Sequence, residues 1–189
     1  MRLSPDAASI DHCIEMSEPV MRALRDVSKE TVHISILSGT QARFVAAAES
    51  RHLMRVTARI GLEIPAYTSA AGKVLLAQLN EEQLLDLYPD ENLAGVTLHT
   101  IRSRSALLQE LEQVRQSGFG RNFEESEIGL VAFAVPISRP IGAPVCSLTL
   151  TGPTARFSAD SSHGTQRREE EVRRLLQLHA AMIERTLAY

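Results

Sequence analysis

Residues 68–79, TSAAGKVLLAQL, join a Gly-Lys pair to an apolar run that is typical of a helix. A phosphate-binding P-loop requires a glycine, four further residues and then Gly-Lys-Ser/Thr. In this chain Tyr67 occupies the position of the first glycine, and Val74 replaces the hydroxyl residue that would follow Lys73. The pattern therefore argues against a P-loop, and we expect Lys73 to be a solvated lysine in the first turns of a helix.

The backbone of the same segment offers a different chemistry. Ser69, Ala70, Ala71 and Gly72 have small side chains and open the predicted helix. The first N–H groups of a helix lack partners within the helix and carry a positive partial charge. A carboxylate could bind to these exposed donors, or the small residues could allow close packing of the helix against a sheet. The spacing alone favours neither alternative.

Carboxylates are concentrated in residues 122–130, NFEESEIGL, which contain Glu124, Glu125 and Glu127. Neighbouring carboxylates can perform acid–base catalysis or bind a metal. The alternating Asp and Asn of a calcium loop are absent, so a charged turn between strands is favoured. None of the six histidines lies in an HxH or HExxH pattern, and no GxSxG identifies a catalytic serine. The sequence thus predicts no metal site and no cofactor.

Two hydroxyls lie close together in the segment SLTLTG, residues 147–152. In a strand, Thr149 and Thr151 point to one face while Leu148 and Leu150 point to the other. Hydroxyls beside apolar residues can bind a small ligand. Threonine is also simply a good strand former, and before other evidence this second interpretation is favoured.

The elements that must position these residues follow from hydrophobic periodicity and from capping residues. The predicted order begins with a helix at 5–29, a hairpin of strands 31–38 and 42–50, and a strand at 52–60. Next come a helix at 70–79, a helix from Asn80 to before Pro89, and a helix from Ser103 or Ser105 to Gly118. The chain ends with a strand and turn at 119–126, strands at 130–138 and 145–152, a polar loop at 158–166 and a helix at 165–188. Strands that occur in runs indicate an α+β fold, with a mostly antiparallel sheet and helices on its faces.

Composition limits the possible partners. The chain has 189 residues, 44% of them hydrophobic, and a formal net charge of -3, so it has no basic field that would attract nucleic acid. Cys13 and Cys146 form no CxxC pair, and the N-terminus does not resemble a signal peptide, so we expect a cytoplasmic protein whose cysteines are reduced. The apolar stretches are too short to cross a membrane, so no membrane partner is expected.

Three segments together resemble the effector-binding domain of IclR-type bacterial transcriptional regulators. They are IGLEIPAYTSAAGKVLLAQL at 60–79, TIRSRSALLQELEQVRQSGFGRNFEESEIGLVAFAVPI at 100–137 and CSLTLTGPTARFS at 146–158. Each motif alone is weak, but their order and spacing make the set specific. The resemblance covers residues 16–189 and assigns residues 1–15 to the start of a linker helix.

The resemblance implies a GAF-like domain that binds a small organic effector. It implies a regulatory function rather than an enzymatic one. The apolar stripes of the first and last helices could form the interface of a homodimer or homotetramer. In this family an N-terminal winged helix-turn-helix domain binds DNA. The first residues here resemble the linker helix, so we expect no such domain within these 189 residues. We therefore expect the chain to reach DNA only through such an additional domain.

The resemblance also assigns a ligand pocket. Its positions are Leu53, Val56, Ile64, Ala70, Ala71, Asn122, Leu130, Ala132, Thr149 and Thr151. The amides of Ala70 and Ala71 would hold a carboxylate, and the two threonines would supply hydroxyls. Relatives that recognise small keto acids tend to carry Asp, Cys and Ser where this chain has Asn122, Ala132 and the threonines. This departure favours a larger or less polar acid, either aromatic or aliphatic.

Two rival functions follow from the residues themselves. A hydrolase or lyase would use Glu124, Glu125 or a histidine as its acid or base. An oligomerisation module would use the apolar stripes of the first and last helices. The second rival is compatible with the sensing domain, and we expect both properties together.

Overall fold

The computed structural model describes residues 7–138, 146–158 and 162–187. Its helices are α1 (Ala7–Ser28), α2 (Ala70–Leu76), α3 (Glu81–Leu87), α4 (Arg104–Ser117) and α5 (Ser162–Leu187). Its strands are β1 (Thr31–Ser38), β2 (Gln41–Ala48), β3 (Glu63–Pro65), β4 (Gly120–Phe123), β5 (Leu130–Ile137) and β6 (Cys146–Pro153). Short 3₁₀ turns follow β3 and β6 at Ala66–Thr68 and Thr154–Arg156.

The six strands form one sheet in the order β3-β2-β1-β6-β5-β4, and every neighbouring pair is antiparallel. The sheet carries helices on both faces, which is the GAF-like arrangement that the resemblance implied. The α+β prediction is therefore confirmed, as is the hairpin of the first two strands. Chain order differs from sheet order because β6 inserts between β1 and β5.

Alternating side chains divide the interior into two cores. Val32, Ile34 and Ile36 of β1 face α1 and α5, together with Leu148 and Leu150 of β6. The opposite face carries α2 and α4, where Leu76, Leu107 and Leu111 are buried. The intervening positions of β1 and β6 are polar, so this second face combines an apolar core with buried hydrogen-bonding groups.

Most helix boundaries follow the capping residues in the sequence. Asn80 forms a capping box with Gln83 at the start of α3. Ser103, rather than Ser105, caps α4, which ends at Gly118 in the left-handed conformation with a φ of 62°. The last helix begins at Ser162, earlier than predicted, so the polar loop is shorter; its residues 159–161 lie outside the described residues.

The predicted strand at 52–60 is wrong. This segment is irregular, and only Glu63–Pro65 pairs with β2. Its backbone groups bond instead to side chains: Ala58 N donates to the Glu49 carboxylate, and the Val56 carbonyl accepts from Thr31 Oγ1. The alternating residue types predicted a strand, but hydrogen bonds to side chains outside the segment determine its backbone conformation.

Candidate ligand-binding site

A narrow cavity lies between the start of α2 and the sheet face that α2 covers. Eight of the ten pocket positions assigned by the resemblance line it: Ile64, Ala70, Ala71, Asn122, Leu130, Ala132, Thr149 and Thr151. The helix contributes Ala70 and Ala71, and the strands contribute the other six. Residues separated by up to 87 positions in the chain thus meet at one place, as the prediction requires.

Strand register explains why the floor residues meet. Thr151 lies opposite Ala132, and Ala132 lies opposite Asn122 on the next strand. On the other side of β6, Thr149 lies opposite His33 of β1. Directly opposed residues of antiparallel strands point to the same face, so this polar row runs across the sheet beneath α2.

The structure does not bring Leu53 or Val56 to the cavity. Leu53 is 99% exposed, and Val56 is half-buried at the edge of the core under α2. Both were assigned as an apolar wall on a strand that does not form. The irregular path of residues 50–62 turns their side chains elsewhere.

The start of α2 combines close packing with cavity lining. Ser69 caps the helix by accepting a hydrogen bond from Gly72 N at 2.9 Å. A Cβ added at Gly72 would lie 2.2 Å from the carbonyl oxygen of Ala66, so only glycine fits there. Ala70 and Ala71 are fully buried beside it and face the cavity.

The cavity floor contains polar atoms without partners. His33 is 0% exposed, and neither of its ring nitrogens has a hydrogen-bond partner; the Oγ1 of Thr149 opposite it is likewise unpartnered. Burial, and then the charge of Arg59, lowers the pKa of His33 to about 4, so the imidazole is neutral near pH 7. Buried polar groups are nearly always bonded, so these atoms indicate a ligand or a bound water.

Arg59 is the cation among the cavity-lining residues. It comes from residues 50–62, which we call the covering loop. Its Nη2 donates to Glu127 Oε2 at 2.6 Å, and this pair connects the covering loop to the turn between β4 and β5. Its side chain is partly exposed, so the guanidinium lies where the cavity meets solvent.

The cavity is closed down in this conformation. Its volume is about 20 Å³, which holds roughly one water molecule. Ligand pockets usually have volumes of about 300 Å³ or more. An organic ligand therefore requires outward movement of a lining element. The strands of the floor are fixed by continuous ladders, whereas the backbone of the covering loop bonds to β2 only at Gly61 and Leu62.

Lys73 is not the solvated lysine predicted from the sequence. It is 1% exposed, and its Nζ donates to both oxygens of Glu125, at 2.8 and 3.1 Å, and to Glu110 Oε1 at 3.1 Å. This ion-pair cluster joins α2 to α4 and to the acidic turn. Burial raises the pKa of Glu125, and the nearby ammonium of Lys73 opposes that rise.

Asn122 shapes the acidic turn that supplies Glu125. Its Oδ1 accepts a hydrogen bond from Glu125 N, and its Nδ2 donates to Ser126 Oγ, both at 2.8 Å. Among the described residues, no group of three or more His, Cys, Asp or Glu side chains is arranged to hold a metal ion. The acidic segment is therefore a structured turn, and its Glu125 is bound by Lys73.

The assigned pocket positions omit five cavity residues: His33, Phe44, Arg59, Ser126, and Ser69, which the sequence placed only among the small residues at the helix start. The signal for His33 was present, because Thr31, His33 and Ser35 alternate with apolar residues on a strand. Using that signal required the pairing of β1 with β6, which sequence order conceals. Arg59 could not be found from periodicity because its segment has no regular structure.

An α+β domain with a small, buried polar cavity between a short helix and its sheet is typical of small-molecule-binding domains. Within that class, the chain belongs to the family described as bacterial transcriptional regulator IclR C-terminal, whose model matches residues 7–177. The HTH-type transcriptional regulator KdgR of Dickeya chrysanthemi is 35% identical over 150 residues, which cover 79% of this chain and 49% of KdgR. The chain spans about half the length of the curated relatives it matches.

Solved structures agree with this assignment. The C-terminal domain of Escherichia coli KdgR superposes with a TM-score of 0.80 at 30% identity, covering 94% of this chain and 99% of that domain. The inducer-binding domain of a PobR double mutant from Acinetobacter, in complex with 3-hydroxybenzoic acid, has the same fold, with a TM-score of 0.80 at 24% identity over 90% of this chain and 97% of that one. The chain is thus a member of a regulatory rather than an enzymatic family. In the part of the chain that the structure describes, no helix has the length and apolarity needed to span a bilayer.

Proposed function

We propose that this chain is the sensing part of a cytoplasmic transcription factor and that its effector is a small organic acid. The observation that carries the proposal is the cavity itself, where unpartnered buried polar atoms lie below a single arginine. Arg59 supplies a planar cation suited to a carboxylate. Leu130 and Ala132 supply apolar surface for the remainder of the ligand, and the assigned positions Ala70 and Ala71 border the same space.

The charge of the lining residues supports an anion. The described cavity residues include Arg59 and no aspartate or glutamate. A cationic ligand would leave its charge without a partner there, which is strongly unfavourable in a buried site. Glu127, the present partner of Arg59, is largely exposed, so a ligand carboxylate can replace it at small cost because an exposed ion pair contributes little to stability.

The covering loop gives a route from the cavity to α1. At the start of the loop, Ser50 N donates to Thr31 Oγ1, and Ser50 Oγ donates to the Lys29 carbonyl. Thr31 Oγ1 in turn donates to the Val56 carbonyl. Residues 29–31 form the junction between α1 and β1, so the loop is bonded directly to the end of the helix assigned as the linker.

A second connection strengthens this junction. The Arg156 guanidinium forms two hydrogen bonds with the buried carboxylate of Glu30, and its Nη1 donates to the Met54 carbonyl at 2.9 Å. An effector that displaces the covering loop therefore acts on the same residues that fix the end of α1. Only a difference in effector affinity between the two arrangements transmits a signal.

The remaining parts of the proposal concern the whole protein. DNA binding requires an N-terminal helix-turn-helix domain joined to residues 1–15. Homodimers or homotetramers would form through helical faces such as that of α5, where Leu178 and Met182 are exposed. Light scattering at micromolar concentration tests this, and a monomer contradicts it.

The sensing function is tested by thermal melting with a panel of acids: benzoate, 3-hydroxybenzoate, hexanoate, lactate and pyruvate. An acid at 100 times its Kd should raise the melting temperature by roughly 5–10 °C. Arg59→Gln should abolish the increase. Arg174→Gln removes an equal charge from an exposed position on α5 and should leave it unchanged.

The outcome that contradicts the proposal is equally clear. If no acid raises the melting temperature of the wild-type chain, or if Arg59→Gln and Arg174→Gln respond identically to an acid that does, the cavity is not an acid site. Turnover of any of these acids would favour the hydrolase alternative. Of the acids that this alternative could use, Glu125 is already bound by Lys73.

A further inference from the structure

We propose that His33, together with Thr149, is a specificity-determining pair that binds a second, uncharged oxygen group of the effector. This inference rests on the proposed function, because it concerns the same cavity. It adds a requirement for the ligand: a hydroxyl or carbonyl oxygen in addition to the carboxylate. No pocket position assigned from the family resemblance includes His33.

His33 is a buried, neutral histidine with free hydrogen-bonding capacity. His33 lies in the middle of β1, is fully buried, and has no hydrogen-bond partner at either ring nitrogen. A neutral imidazole has one N–H donor and one acceptor nitrogen. Its ring contacts Phe44 edge-on at a centroid distance of 5.0 Å, which orients the ring without satisfying either nitrogen.

The nearest polar neighbour of His33 across the sheet is Thr149. Thr149 lies directly opposite His33 in the β1–β6 register, and its Oγ1 is also buried and unpartnered. Opposed residues in antiparallel strands have Cβ atoms roughly 5 Å apart. Both side chains border the cavity, so an oxygen atom entering between them can bond to one ring nitrogen of His33 and to the hydroxyl of Thr149.

This pair differs from the other buried polar groups. Ser35 Oγ is also unpartnered, but it does not line the cavity. Asn122 lines the cavity, but its amide is bonded to Glu125 and Ser126. His33 and Thr149 are thus the two cavity-lining side chains, among the described residues, that hold buried polar atoms without partners.

The charges around the cavity set the charge of the group that is recognised. Arg59 faces His33 from the covering loop, and no carboxylate lines the cavity; Glu49 is the other charged group that acts on His33. An ammonium group would meet a neutral imidazole and a guanidinium, with no anion to balance it. The pair therefore selects hydroxy acids and oxo acids over amino acids of the same size.

Matched ligands test the inference. Propionate, lactate, pyruvate and alanine share one skeleton and differ at a single position, and benzoate with 3-hydroxybenzoate forms an aromatic pair. Calorimetry should show that the wild-type chain binds the oxygen-bearing member of a pair about ten-fold more tightly than its parent acid. Alanine should bind more weakly than lactate.

Single substitutions test the contributions of His33 and Thr149 separately. His33→Leu and Thr149→Val should each reduce the ratio of the two affinities, oxygen-bearing acid over parent acid, to within about two-fold. His33→Gln keeps a donor and an acceptor and should restore part of the preference. If His33→Leu does not fold, Thr149→Val, which preserves side-chain shape, provides the same readout.

The failures are distinguishable. If acids bind but His33→Leu and Thr149→Val keep the wild-type preference, this inference is overturned while the sensing function stands. If the wild-type chain prefers alanine or propionate to lactate and pyruvate, and benzoate to 3-hydroxybenzoate, the inference is overturned as well. If no acid binds at all, the proposed function and this inference fail together.

Discussion

Lys73→Met should destabilise the domain severely, although the ligand cavity does not include Lys73. The ammonium is 1% exposed and donates to Glu125 and Glu110, and the Glu125 side chain is itself largely buried. Removing one member of a buried ion pair leaves a buried charge without a partner and costs about 3–5 kcal/mol. Methionine preserves most of the aliphatic volume, so the loss measures the charge rather than a cavity.

The assay is urea unfolding followed by circular dichroism, with the free energy of unfolding extrapolated to water. Lys73→Met combined with Glu125→Gln should recover most of the lost stability, because both charges are then gone. Arg174→Gln removes a charge that is 77% exposed on its side chain and should change stability by less than about 0.5 kcal/mol.

The pH dependence gives an independent check. Burial raises the pKa of Glu125. A carboxyl group with a raised folded pKa favours the folded state below its unfolded pKa and loses that contribution as pH rises through the folded pKa. Without Lys73 the rise is larger, so part of the lost stability of Lys73→Met should return between neutral pH and about pH 5. A loss below about 1 kcal/mol, or a loss independent of Glu125, would refute the account of this cluster.

Three further predictions concern other contacts. Gly72→Ala should lower stability by about 1–3 kcal/mol in urea unfolding, because its Cβ meets a backbone carbonyl, whereas the same change at Gly61 meets no neighbouring atom and costs only the strain of its positive φ. Arg156→Gln should cost about 3 kcal/mol and speed amide exchange in the covering loop, since it leaves the buried carboxylate of Glu30 without its partner; unchanged exchange would contradict the connection. Wild-type stability should fall from pH 6.5 toward 4 more steeply than that of His33→Leu, because the unfolded chain binds a proton that buried His33 does not, and parallel pH curves would exclude this.

The sequence predicted the architecture well because short-range rules determined it. Asn80, Ser103 and Gly118 act as caps where their residue types indicated, and the alternation of β6 correctly placed Thr149 and Thr151 on one face. These features depend on periods of two and 3.6 residues and on local hydrogen bonds. They therefore survive without knowledge of what packs against them.

The sequence-based predictions that were wrong or missing have a common physical cause. Lys73 was expected in solvent because its two carboxylate partners lie 37 and 52 residues away in the sequence. Residues 52–60 were expected to form a strand because their residue types follow a strand pattern. The contacts with the Glu49 and Thr31 side chains that determine their actual path leave no signal in that pattern. His33 was missed because its importance arises only when β6 inserts beside β1. Long-range pairing determines each of these cases, and local pattern does not report it.

The structure describes the lining and the size of the pocket, and neither by itself demonstrates ligand binding. Eight assigned positions line one cavity, whereas Leu53 and Val56 do not reach it while the covering loop has this conformation. The small volume and the irregular loop are consistent with each other, because the backbone of the loop bonds to β2 at Gly61 and Leu62 and otherwise lies outside the strand ladder. The proposed ligand would have to displace part of residues 50–62 to enter.

The most direct test of the central claim is a crystal structure of the chain with the acid that gives the largest increase in melting temperature. We expect the carboxylate within hydrogen-bond distance of Arg59, an oxygen group between His33 and Thr149, and a covering loop displaced from its present position. An acid bound at another surface, with the space beneath α2 still closed, would contradict the account.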